Sequence, residues 1–147
     1  MAVTREQVSQ ALYNLLVGSY AYAYTSRRLE NISNQLQMPA LFLEEMPEKH
    51  VREKMPSPAR RILEYIAWVY INVGLDLNTI PMTTLNNIID TIDPVTGGVL
   101  KPNDLQQNRQ TLGGLVYDCY IEGELPKVPG DVDGIGGMRI PIKVIFN

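Results

Sequence analysis

The chain has 147 residues, 45% hydrophobic and 20% charged, with a formal net charge of −3. That length predicts a single domain over residues 1–147 with a full hydrophobic core. The acidic balance argues against tight nucleic-acid binding, which rests on clustered Lys and Arg.

Cys119 is the one cysteine, so the chain forms no internal disulfide and fits a reducing compartment. The opening MAVTREQVSQ carries Arg5 and Glu6 where a signal peptide would be apolar. The longest apolar stretch, Tyr65–Ile71, falls well short of the roughly 18 residues that indicate a membrane span. A soluble intracellular product is expected, with no membrane partner.

In chain order, Thr4 and Gln7 make a capping box and Val3 and Val8 occupy the staple positions around it. Val8, Ala11, Leu12, Leu15 and Leu16 then recur at helical spacing, which predicts a helix from Arg5 to Val17 stopped at Gly18. A strand is expected near Ala23–Asn31, then PALFLEEM (Pro39–Met46). The charged segment Glu48–Arg60 reads as a protruding β-hairpin arm. Arg60–Val73 is the strongest strand: Leu63, Tyr65, Ala67, Val69, Ile71 and Val73 form one apolar face at period two. The other face, with Ile62, Glu64, Ile66, Trp68, Tyr70 and Asn72, is mixed.

Met82, Leu85, Ile88, Ile89 and Ile92 predict a second helix, with Pro81 in its first turn and DPVTGG closing it. Lys101–Thr111 is a polar connection. Two strands finish the chain, over Leu115–Glu122 and Met138–Phe146. Pro141 cannot donate to a ladder, so the last strand should be an edge or turn that residue away from its partner. Leu125–Gly137 between them is a long Gly/Pro loop. The order is that of an α+β fold: a mixed or antiparallel sheet with both helices on one face and a hairpin arm.

Catalytic patterns are weak. Gly113–Gly114 lacks the companions of a phosphate loop and precedes a strand, so it reads as a tight turn. Cys119 alternates with Tyr117 and Ile121 on a face expected to be buried, and the lone histidine, His50, lies in the arm. One His and one Cys cannot build a structural zinc site. Asp118, Glu122 and Glu124 share a strand face, and solvation explains them as well as ion binding or glycosidase-type pairing does. Trp68 and Tyr70 read as core or protein interface. No catalytic residue, metal ligand or cofactor is assigned.

Three segments carry a resemblance: TREQVSQALYNLL with YTSRRLEN; MPALFLEEMPEKHVREKMPSPARRILEYIAWVYINV; and RQTLGGLVYDCYIEGEL closed by RIPIKVIFN. In this order the chain is similar to the tail terminator proteins of long-tailed bacteriophages, of the lambda type. The resemblance spans most of the chain, with Leu75–Asn108 matching mainly through its helix and Leu125–Gly137 matching poorly. It implies an α+β virion protein, assembled in the bacterial cytoplasm, that acts without catalysis or cofactor. Such proteins form a homo-oligomeric ring, usually of six copies, on the head-proximal end of the tail tube. The ring halts tube polymerisation, contacts the tail tube protein and a head-completion or neck protein, and lets DNA pass through its lumen. The alternatives are another neck component, such as a head–tail adaptor or tail completion protein, and a small ligand-binding or hydrolytic domain using Asp118, Glu122 and Glu124.

A ring needs two different patches docking head to tail. The arm supplies interface candidates Glu45, Lys49, Arg52, Lys54, Arg60 and Arg61. Asp131 and Asp133 are candidates for a lumen- or tube-facing position, where negative charge would repel passing DNA.

Overall fold

A computed structural model describes residues 2–30, 37–52, 60–73, 80–130 and 134–146. The first helix, α1 (Arg5–Val17), starts where its cap predicts. The Gln7 amide donates to Thr4 Oγ1 at 3.2 Å and the Thr4 amide to Gln7 Oε1 at 2.8 Å. It stops before Gly18, which is right-handed at φ −77°, so the stop does not depend on glycine's freedom. Val8, Leu12 and Leu16 are fully buried. Truncating Leu12 to alanine there would cost about 2–5 kcal/mol through lost burial and a cavity.

Seven strands form one mixed sheet. They are β1 (Tyr24–Ser26), β2 (Ala40–Glu45), β3 (Lys49–Val51), β4 (Arg60–Asn72), β5 (Asp118–Ile121), β6 (Lys127–Val128) and β7 (Ile135–Phe146). The second helix, α2 (Pro81–Asp90), lies between β4 and β5 in sequence. β1 runs parallel to β2, and every other pairing is antiparallel. β2 and β3 lie end to end along one side of β4, joined by a break at which the Met46 amide still reaches the Glu64 carbonyl at 2.8 Å. On the other side of β4 runs β7, paired from Arg61↔Phe146 to Asn72↔Ile135.

The period-two face of β4 is the core face. Leu63, Tyr65, Ala67, Val69 and Ile71 pack with Leu41 and Leu43 of β2, alternate residues of β7, Cys119, and the inward stripes of both helices. Each large side chain so buried contributes about 1.5–3 kcal/mol. Both helices therefore cover the same face. The opposite face keeps only a small cluster, Ala40, Phe42 and Tyr70, flanked by Tyr24, Met38, Trp68 and Ile135.

Two expectations are corrected, and a third is decided between its alternatives. The first strand is shorter than Ala23–Asn31: it ends at Ser26, whose Oγ accepts the Arg28 amide at 3.0 Å and turns the chain. The strand expected from Leu115 starts only at Asp118, because Thr111–Val116 is occupied by turns whose amides converge on the Thr111 carbonyl. For the last strand the second alternative holds: it lies inside the sheet, between β4 and the β5/β6 pair, with Pro141 turned away from β4. The Pro141 carbonyl accepts the Glu122 amide at 3.3 Å, in the gap between β5 and β6. A missing donor at that gap breaks no ladder bond.

The base of the expected hairpin is present, with Val51 opposite Arg60 and Lys49 opposite Ile62. Its tip lies outside the described residues, so its protrusion is not among the features described.

Candidate functional site

The described arm residues are held in several separate contacts. Glu45 Oε1 accepts from Arg27 Nη2 at 3.0 Å, and Arg27 also pairs with Glu6 of α1. This network, with Arg5–Glu48 at 2.9 Å, ties the start of α1 to β2 and β3. Lys49 lies 3.4 Å from Glu64, which also lies 3.9 Å from Lys143. Arg60 sits over the Tyr117 ring at 5.8 Å and Arg61 over Phe146 at 5.1 Å, with the Arg61 Nε buried and unpaired among the described residues. His50 is exposed, 3.6 Å from Glu48. Arg52 sits just past β3. Lys54, Asp131 and Asp133 lie outside the described residues.

The carboxylates scatter as well. Asp118 turns to the backbone, accepting the Gln110 amide at 3.1 Å and the Cys119 amide at 2.8 Å. Glu122 pairs with Lys143 at 3.0 Å, and Glu124 has left the strand. Among the described residues no three His, Cys, Asp or Glu side chains are grouped as metal ligands would be. Cys119 is 2% exposed, and burial pushes its thiol far above the ordinary cysteine value, which suits a core residue and not a nucleophile. Gly113 and Gly114 have φ +75° and +90°, a turn that needs glycine.

What the fold does assemble is a binding-type surface on the uncovered sheet face. A groove of about 360 Å³ runs over Trp68 and Tyr70 of β4, Ile135 and Gly137 of β7, and Val128 of β6, with Arg139 at its rim. The Trp68 and Tyr70 rings stack at 6.2 Å, and the Arg139 guanidinium lies 4.7 Å over Trp68. Gly137 shapes the floor: a Cβ there would meet the Tyr70 ring at 3.1 Å. Burial raises the Tyr70 hydroxyl above the ordinary tyrosine value, so it stays a neutral donor. Such a face can stack flat groups, and the described residues that line it include no nucleophile–base pair. Sequence reasoning saw Trp68 and Tyr70 as a mixed strand face. The groove itself needed the glycines of β7.

No family model matches this chain. No curated protein matches it either. Among the described residues no helix is long and apolar enough to cross a membrane.

Proposed function

We propose that this protein is a structural component of a phage tail of the tail terminator type: a ring of identical subunits that caps the head-proximal end of the tail tube, stops its growth and presents a joining surface to the head. The observation that carries this reading is the order and span of the three resembling segments, from TREQVSQALYNLL to RIPIKVIFN. The α+β architecture is of the kind that resemblance implies. A sheet face left open by both helices supplies contact area for a neighbour or for the tube. The net charge of −3 suits a lumen that DNA crosses without adhering. On this reading the protein works by contact and not by turnover.

Electron microscopy of particles assembled without this protein tests the proposal. Tubes of uncontrolled length, or tails that do not join heads, are expected. Tails of normal length joined to heads would reject it, and immunogold label on the head side of the neck would instead identify a head–tail adaptor.

A further inference from the structure

Two strongly exposed apolar side chains lie outside the lining of the groove over Trp68 and Tyr70. Val95 and Leu105 are the most exposed large apolar side chains among the described residues, at 90% and 83%. Neither sits on a loose loop. Val95 lies in a helical turn at Pro94–Thr96, where Asp93 accepts the Val95 amide at 3.0 Å and Thr96 Oγ1 donates to the Asp90 and Asp93 carbonyls. Leu105 lies in a turn closed by reciprocal backbone bonds between Asp104 and Arg109 and by their ion pair at 2.7 Å. Pro94, Val95 and Pro102 border one shallow hollow beside β5. Hydrogen bonds thus hold apolar side chains rigidly in water, which is the arrangement of a preorganised contact.

The charges are complementary. Arg139 at the groove and Lys127 beside it have no carboxylate partner within ion-pair distance among the described residues. Asp90 and Asp93, on the amino-terminal side of Val95, have no cation within ion-pair distance among the described residues. Glu124 lines the adjoining hollow together with Arg139, Ile66 and Pro141, but not within ion-pair distance of Arg139. The two patches are different surfaces of one subunit, so a contact between them is heterologous and propagates from copy to copy.

We infer that the Val95/Leu105 turns of one copy dock into the Trp68/Tyr70 groove of the next, with Asp90 and Asp93 facing Arg139 and Lys127. This deepens the ring reading and rests on it, naming the two patches through which subunits join.

The test uses the full chain and two variants, Val95→Asp with Leu105→Asp, and Val128→Asp with Arg139→Glu. All four positions are exposed, so both variants are expected to keep the wild-type circular dichroism. Sedimentation should show the wild type self-associating and each variant alone monomeric, weakened roughly 30-fold or more. Mixed one to one, the variants should form a dimer and stop there, because the pair retains one intact groove and one intact turn surface in contact. Assembly by either variant alone, a mixture that stays monomeric, or a wild type that never self-associates in concentrated solution overturns the docking. The ring proposal itself is judged separately, by tail length in particles lacking the protein.

Discussion

The Ser9 Oγ lies 2.8 Å from the Tyr65 hydroxyl, and both residues are buried, joining α1 to the centre of the sheet. Burial pushes the Tyr65 hydroxyl up to about 12, so it remains protonated at every working pH. Tyr65→Phe should lower stability by about 1–2 kcal/mol, because the Ser9 hydroxyl loses its partner where water does not reach. Adding Ser9→Ala should recover part of that loss. A double-mutant cycle by urea unfolding measures the coupling. Strictly additive losses would show that the two hydroxyls are not coupled.

Acid should loosen the tie between α1 and the sheet. Arg27 holds Glu6 below the ordinary glutamate value of 4.5, and Arg5 does the same for Glu48. A carboxylate whose pKa is depressed by folding contributes stability above its unfolded pKa and loses it as pH falls through the folded one. Unfolding midpoints should therefore be level above about pH 5 and drop below it. Arg27→Gln should flatten the drop. The groups are exposed, so the effect should shrink with added salt.

Cys119 should behave as a reporter and not as a reagent. A thiol-specific reagent should leave the native protein unmodified and react once it is unfolded, because the side chain is 2% exposed and its thiolate is disfavoured. Labelling rates in mild denaturant then measure the opening of the β5–β7 region. Fast labelling of the native protein would contradict the burial.

Two adjacent glycines should fail for different reasons. Gly97 sits at φ +79° with nothing within 4 Å of a built Cβ, so Gly97→Ala should cost about 1–2 kcal/mol through the backbone alone. At Gly98 a Cβ would meet Ile92 backbone atoms at 2.4 Å and 2.6 Å. Gly98→Ala should be the more damaging, at about 2–3 kcal/mol, by forcing main chain apart. Thermal unfolding of the two variants compares them directly.

Features written in local periodicity were legible in the sequence. α1 was readable because Thr4, Gln7 and the Val8–Leu16 stripe are neighbours in sequence, and β4 because thirteen alternating residues leave no other reading. Pro141 left two readings open: a strand residue points its donor to one side only, so proline fits an inner strand wherever the neighbour on that side is broken. Residues 101–111 showed no period, yet they are held by polar bonds between residues eight and nine apart in sequence. Gln110 donates to the Lys101 carbonyl at 2.6 Å, and Asn103 accepts the Thr111 amide at 2.8 Å. Such bonds leave no mark in composition. The partners that Glu45 and Lys49 find, Arg27 and Glu64, were likewise not legible, since they stand 18 and 15 residues away in sequence. The groove was half visible: Trp68 and Tyr70 stood on the mixed face, but its shape comes from Gly137, on the last strand.

The position of β7 sets when the molecule can become itself. Its twelve residues lie inside the sheet next to the middle strand β4, and β4, β5 and β6 all pair with it. While the chain is being made, α1 and β1 to β4 emerge before the strand that joins them to β5 and β6. The sheet must then wait until Phe146 clears the ribosome. Until then Leu63, Tyr65 and Val69 of β4 lack the β7 side chains that pack beside them, so the carboxyl-terminal strand closes the core that the earlier elements begin.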